Sequence, residues 1–374
     1  MNPNLSSRHQ KRTIIRFLAF LGIITFSLFG FAALAEDKDD DHKQEARRST
    51  MDDLLSLPVR PIAIGHHGVG RNRGENPALP IENTLESVRQ AYEQGAVAVE
   101  VDVQLTKDGR LAVFHDDFLD DYTCLHSLTL AELQKRLPYV PELHEILALA
   151  RHFNKKANGE LGGLLVVELK TFSPLCDPTD RLEQAVVSAA VREIRNAQMT
   201  RQVFFDSFSP ALLLLASQIA PEIPRELDLS GLQLLTPEQV TAITGLPVKI
   251  INKTNSLGLT WAEIGPVFRL PGYSSIPQFF QTGFAIKARI IGAELDLLAP
   301  AEQQQPGSGS AFVGAAHSLG FKVFADPAQS EADWNFFSSL GVDAIYSDIP
   351  LGVGLQPEIP ELENAPEHLH RNSK

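Results

Sequence analysis

Eight short apolar runs, starting near residues 62, 97, 164, 202, 225, 290, 321 and 343, recur along this chain. Most are followed by a stretch of helical pattern, such as Thr179 to Arg195 or Glu331 to Leu340. Strands that alternate with helices build a parallel sheet, because each parallel connection must cross back over the sheet. Eight such units predict an α/β fold of the (β/α)8 TIM-barrel type, with an open doubly wound sheet as the competing arrangement. One link breaks the alternation. Val97 to Leu105 and Leu111 to His115 are separated by only about five residues around Lys107-Asp108-Gly109, whereas a parallel crossover takes about a dozen. The pair therefore reads as a β-hairpin after strand 2, with its return arm outside the count of eight. Residues 230 to 287, with a possible strand at Val248 to Ile251 and the turn-rich Leu270 to Pro277, read as an insertion over the barrel mouth in the second half.

The ends of the chain differ from this middle. Arg8, Lys11, Arg12 and Arg16 precede the apolar run Phe17 to Phe31, and Ala33-Leu34-Ala35 precede the acidic Glu36 to Asp40. This is the layout of a signal peptide over residues 1–35, so the expectation is export to the periplasm or the medium. An uncleaved membrane anchor is the alternative, because the run approaches the ~20 residues that span a bilayer; membrane contact is then confined to this segment. Residues 36–56 read as a flexible linker, 57–352 as the barrel domain and 353–374 as a disordered tail. The formal charge is -13. Cleavage removes the four basic residues and no acidic one, taking the charge to -17. Nucleic acid is excluded as a partner for so acidic a chain. Oligomeric state leaves no mark in the sequence. The two cysteines, Cys124 and Cys176, read either as a disulfide of an oxidising compartment or as two free thiols.

Side-chain period places the chemistry. Glu100 and Asp102 lie two apart on a strand and project to one face, with Val99, Val101 and Val103 on the other. Glu168 and Lys170 repeat the arrangement on the next barrel strand. Buried carboxylates need compensation, and an oxygen-only set without cysteine favours Mg²⁺ or Ca²⁺ as cofactor. If the hairpin turns near Asp108, facing residue numbers sum to about 215 or 216, which brings His115 opposite Glu100. His66 ends the first strand at the same mouth. Two imidazoles with ordinary pKa near ~6.5 beside a metal-bound group can act as general base and general acid.

The order of these residues resembles the glycerophosphodiester phosphodiesterase family, whose start reads His-Arg-Gly, Glu-Asn-Thr, Glu-x-Asp-Val-x-Leu-Thr-x-Asp-Gly and His-Asp. Here those segments are His66-His67-Gly68, Glu82-Asn83-Thr84, Glu100 to Gly109 and His115-Asp116. Val167 to Lys170, Asp206 to Phe208 and Gly341 to Pro350 are similar to later family segments. The resemblance spans about residues 60 to 352. It implies a (β/α)8 barrel, a divalent metal held by Glu100, Asp102 and Glu168, and hydrolysis of a small glycerophosphodiester to sn-glycerol 3-phosphate and an alcohol. It further implies His66 and His115 as the acid/base pair, with His66 taken as base and the reverse order left open. His67, Glu82, Lys170 and Phe324 are the implied substrate-side residues. Two departures stand out. His67 occupies the place of the family's phosphate-holding arginine, and one imidazole does not reproduce a guanidinium fork. Phe324-Ala325-Asp326-Pro327 replaces a segment containing Trp-Thr, keeping an apolar wall but losing the indole donor. A related phosphodiesterase or phospholipase acting on a bulkier headgroup or lipid is one alternative function. A non-catalytic secreted binding protein on the same scaffold is the other.

Overall fold

All eight expected parallel strands form, and they close on one another. In chain order the strands are β1 (Ile62–Gly65), β2 (Ala98–Leu105), β3 (Leu111–Val113), β4 (Leu164–Leu169), β5 (Val203–Ser207), β6 (Arg225–Leu229), β7 (Ile290–Glu294), β8 (Lys322–Ala328) and β9 (Ala344–Ser347). The sheet order is β1-β9-β8-β7-β6-β5-β4-β2-β3, and β1 also pairs with β2, so every strand but β3 belongs to a closed parallel barrel. The computed structural model describes residues 48–349 apart from 59, 122, 155–160, 173–175, 178–180 and 236–271. These belong to the unit Glu45–Lys374. The signal segment 1–35, the possible strand Val248 to Ile251 and the tail 353–374 lie outside the described residues.

The barrel strands change chemistry along their length. Toward their N-terminal ends Ile62, Ile64, Ala98, Leu164, Val166, Phe204, Ile290, Phe324, Ala344 and Tyr346 share one buried cluster. Two residues further along, the same faces carry His66, Glu100, Glu168, Asp206, Asp326 and Asp348. The lower half is therefore an apolar plug and the upper half an ionisable layer. Phe204 and Phe324 meet edge to face at 5.9 Å; full burial of a phenylalanine stabilises by about 1.5–3 kcal/mol. Val99, Val101 and Val103 face the surrounding helices in the larger core.

Below the plug lies a helix that the sequence reading had placed in the 36–56 linker. Met51–Leu55 is capped by Thr50, whose side chain accepts from Asp53 N while Asp53 accepts from Thr50 N. Met51, Leu54 and Leu55 join the barrel-interior cluster. The helix thus closes the bottom of the barrel, and the C-terminal end of the expected linker is part of the fold.

The hairpin forms as read. Val103 faces Val113, Gln104 faces Ala112 and Leu105 faces Leu111, a register sum of 216. Extended by one step, this register places Phe114, whose N–H donates to Asp102 O, beyond the last strand pair. His115 lies two residues past the last pair, where the same sum would set it across from Val101 rather than the Glu100 expected. The helix Leu85–Glu93 is capped by Thr84 rather than Asn83, because the Asn83 side chain is engaged with Asp102. Of the insertion expected over 230 to 287, the described parts are a short 3-10 turn, Gly231–Leu234, and the helix Ile276–Ala285.

Candidate active site at the barrel mouth

β1 runs into a turn that sets the first two histidines. Gly68 has φ +101, and a Cβ there would lie 2.1 Å from Ser87 Oγ. That hydroxyl is needed in place: it donates to His67 O and accepts from Val69 N, each at 3.0 Å. His67 itself sits in the left-handed region, φ 49. This breaks the strand alternation that would have sent its ring into the helix layer. Its ring instead lies 3.8 Å from that of His66, tilted by 48°, and 5.5 Å from that of His115, so three imidazoles meet at the mouth.

Glu100, Asp102 and Glu168 are 2, 0 and 7 % exposed. Oxygen atoms from the three come within 4.8 Å of one another. Asp102 is held by His67 Nδ1 at 2.6 Å, by Asn83 Nδ2 at 2.7 Å and by Lys170 Nζ at 2.9 Å. Lys170 also pairs with Glu168 at 2.6 Å. Glu100 Oε2 accepts from His67 N, while its Oε1 is buried without a hydrogen-bond partner among the described residues. Burial, reinforced by the charge of Asp102, pushes the Glu100 carboxyl well above the ordinary range. Burial also acts to raise Asp102, but Lys170 and then His67 outweigh it and hold this group well below its usual value. An orphaned buried oxygen within an all-oxygen, anionic donor set fits a hard divalent cation.

The acid/base candidates flank this group. His66 Nδ1 is 2.6 Å from Asp348 Oδ1 and its Nε2 is 3.6 Å from Asp326 Oδ1. An ionised carboxylate only accepts, so the proton sits on Nδ1 and Nε2 faces the mouth. Burial lowers the His66 pKa, yet Asp326 and Asp348 outweigh it and the net shift is upward. His115 repeats the arrangement with Asp116 at 2.6 Å, and Asp116 also pairs with Arg73. His67 is the opposite case. Burial and the charge of His66 drive its pKa well below 6.5, leaving a neutral ring with Nδ1 donating to Asp102 and a buried, unpartnered Nε2.

A cavity of about 410 Å³ opens over these residues, lined among others by His66, His67, Arg71, His115, Glu168 and Lys170. Eight of the nine residues singled out from the sequence gather around the mouth. Glu82 stands at the rim, accepting from Asn72 N and paired with Arg73. Phe324 is the exception. It is fully buried in the apolar plug between Phe204 and Tyr346, and the residue that reaches the mouth from β8 is Asp326, two positions on. A wall against substrate at Phe324 is therefore corrected: strand period puts that ring one layer too low.

Sequence reading missed several participants. Asn83, quoted within the Glu-Asn-Thr segment, reaches both His67 and Asp102. Arg71 and Arg73 were passed over although they lie four and six residues beyond His67, and Arg71 makes no ion pair with any described residue. Asp348 and Asp326 were quoted within family-like segments without a role; period two from Tyr346 and Phe324 was the available signal. Outside the mouth, Cys124 and Cys176 are joined by a disulfide, which ties the loop beyond His115 to the loop beyond Lys170.

The sequence model of the glycerophosphoryl diester phosphodiesterase family matches residues 66–351. A glycerophosphodiester phosphodiesterase of Bacillus subtilis is 24% identical over 313 residues, covering 77% of this chain and 90% of its own length. Among solved structures, a phosphodiesterase of Oleispira antarctica in complex with the product sn-glycerol-3-phosphate superposes with a TM-score of 0.52 at 23% identity, over 78% of this chain and 94% of that one. A glycerophosphodiester phosphodiesterase from Parabacteroides distasonis gives a TM-score of 0.51 at 17% identity, over 77% and 93%. Both structural likenesses bear on the fold.

Proposed function

The chain belongs to the glycerophosphoryl diester phosphodiesterase family, and from that premise we propose a division of labour among the residues at its mouth. It is an enzyme that hydrolyses glycerophosphodiesters with the assistance of a metal ion. The products we assign are sn-glycerol 3-phosphate and the free alcohol. The observation that carries the residue assignment is the meeting of three buried carboxylates, Glu100, Asp102 and Glu168, with two histidines whose Nδ1 atoms are each held by a carboxylate at 2.6 Å.

Glu100, Asp102 and Glu168 would hold the ion, and the oxygen-only set supports Mg²⁺ or Ca²⁺. When bound, a divalent ion supplies Lewis-acid stabilisation of charge on the phosphoryl oxygens. His66 takes a proton at Nε2 from the attacking hydroxyl as the new P–O bond forms; where that hydroxyl is the neighbouring one of the glycerol, loss of the alcohol leaves a cyclic phosphate, which water then opens to sn-glycerol 3-phosphate. His115 gives a proton to the departing alkoxide as the bond to the alcohol breaks. Lys170 and Arg71 offer positive charge to the diester. His67, neutral and committed to Asp102, is a positioning residue here, since a bare lone pair at Nε2 cannot donate to a phosphate oxygen. The sequence expectation that His67 grips phosphate is replaced by Arg71.

We also infer export through residues 1–35. The Cys124–Cys176 disulfide supports an oxidising compartment. Among the described residues no helix is long and apolar enough to cross a membrane. The test of the central assignment is turnover of glycerophosphocholine, read as sn-glycerol 3-phosphate formed. His66→Ala and His115→Ala are each expected to lower kcat by ~10²-fold or more. Wild-type kcat in either variant removes that histidine from the mechanism.

A further inference from the structure

The carboxylate layer does not stop at Glu168. In the strand registers Asp102 faces Glu168, Glu168 faces Asp206, and Asp206 faces Glu226, so acids continue across β5 and β6 at the same level. Asp206, Glu226 and Asp228 are 5, 0 and 7 % exposed and bring oxygens within 4.8 Å of one another. Tyr346 OH donates to Glu226 Oε2 at 2.6 Å. Asp206 Oδ1, Glu226 Oε1 and Asp228 Oδ2 remain buried without hydrogen-bond partners among the described residues.

Two further features point to a ligand. A void of about 10 Å³, the size of one water or one ion, is lined among others by Asp206 and Asp228 and also by Glu100 and Glu168, with Glu226 just outside its lining. Across from β6, Gly292 of β7 leaves room for the acids: a Cβ there would lie 2.0 Å from Asp228 Oδ1 and 3.0 Å from Glu226 Oε1. The absent side chain of Gly292 thus leaves the space that the Asp228 and Glu226 carboxylates occupy.

We propose that Asp206, Glu226 and Asp228 form a second divalent-cation site, of Ca²⁺ class, beside the one formed by Glu100, Asp102 and Glu168. Ca²⁺ accepts six to eight oxygens in flexible geometry at ~2.3–2.6 Å, so ligand oxygens on opposite sides of an ion stand about 5 Å apart. Charge supplies the reason for a second ion. When the six acids are ionised, one divalent ion and Lys170 offset three of their six charges, leaving a mouth that repels an anionic diester. A second ion brings the offset to five. The competing arrangement is shared protons, which burial and mutual repulsion also favour by raising all three pKa values.

The site stands apart from the catalytic assignment, and ion stoichiometry separates the two. Metal-free protein is titrated with Ca²⁺ by calorimetry and its ion content counted after equilibrium dialysis. Wild type is expected to hold two ions per chain, Glu100→Gln/Asp102→Asn one, and Asp206→Asn/Asp228→Asn one. Should the last variant not fold, the Glu100→Gln/Asp102→Asn protein decides: one ion retained, with a Ca²⁺-dependent rise in Tm, supports the second site. No ion in that variant, or a single ion in wild type that survives Asp206→Asn/Asp228→Asn, overturns it in favour of shared protons. Undiminished hydrolysis by Glu100→Gln/Asp102→Asn would count against the catalytic reading alone.

Discussion

Each of the two imidazoles proposed as acid and base, His66 and His115, has a carboxylate behind its Nδ1. Burial alone would depress the His66 pKa; Asp326 and Asp348 reverse that. For Asp348, burial raises the carboxyl, but the His66 hydrogen bond and charge outweigh it and hold the pKa at about 2. In the Asp348→Asn variant the acid limb of kcat/KM, which reports a base that must be neutral, is expected to move to lower pH. Unchanged profiles would remove His66 as that base. The same pair sets a stability window. The Asp348 contribution is present above its unfolded pKa of ~3.9 and fades as pH falls toward 2; the His66 contribution is present below ~6.5 and fades as pH rises through its raised value. The stability gap between wild type and Asp348→Asn, measured by denaturant melts, is therefore expected to be widest between about pH 4 and 6.5. A second residue prediction concerns phosphate. Arg71→Met should raise KM for glycerophosphocholine about tenfold or more, the scale of one charge-assisted hydrogen bond, with kcat changed little. Equal KM values would leave phosphate binding to Lys170. At this scale the gathering of Glu100, Asp102, Glu168 and His66 at one mouth was legible, because strand period fixes direction. His67 was not, since its direction depends on a left-handed φ of 49 that no periodicity encodes.

Elements were read more securely than single side chains. The hairpin followed from the impossibility of a parallel crossover in five residues, and its register sum of 216 lies within the range expected. The helix Met51–Leu55 escaped because a five-residue amphipathic segment in a charged stretch carries too few apolar positions to register as periodic. The loops at the mouth owe their placement to chemistry rather than pattern. The disulfide closes a span of 52 residues, for which chain entropy alone predicts about 4 kcal/mol of stabilisation. Reduction, or the Cys124→Ser/Cys176→Ser pair, is expected to lower the unfolding free energy by up to that amount. It should also raise KM more than it lowers kcat, because it frees the loops after His115 and Lys170 without touching the ligands. Two alkylatable thiols in protein recovered from an oxidising compartment would contradict the bond.

Across the whole molecule the barrel is a graded object, with an apolar plug at one end, a carboxylate layer above it and histidines and arginines at the rim. The eight-fold alternation was visible in the sequence because each unit repeats one physical constraint. The vertical gradient was only half visible: acids on β2 and β4 were read as ligands, whereas Asp206 on β5 and Asp326 on β8 stood in quoted segments without a role, and Glu226 and Asp228 on β6 lay outside them. That gradient makes metal dependence the claim on which everything else rests. The decisive measurement is the rate of sn-glycerol 3-phosphate release from glycerophosphocholine by chelator-stripped protein, with and without restored Mg²⁺ or Ca²⁺, in wild type and in Glu100→Gln, Asp102→Asn and Glu168→Gln. The expected result is loss of activity on stripping, recovery on adding the ion to wild type, and at least ~10²-fold lower recovery in each variant. Full activity of stripped wild type, or full recovery in all three variants, would contradict the site.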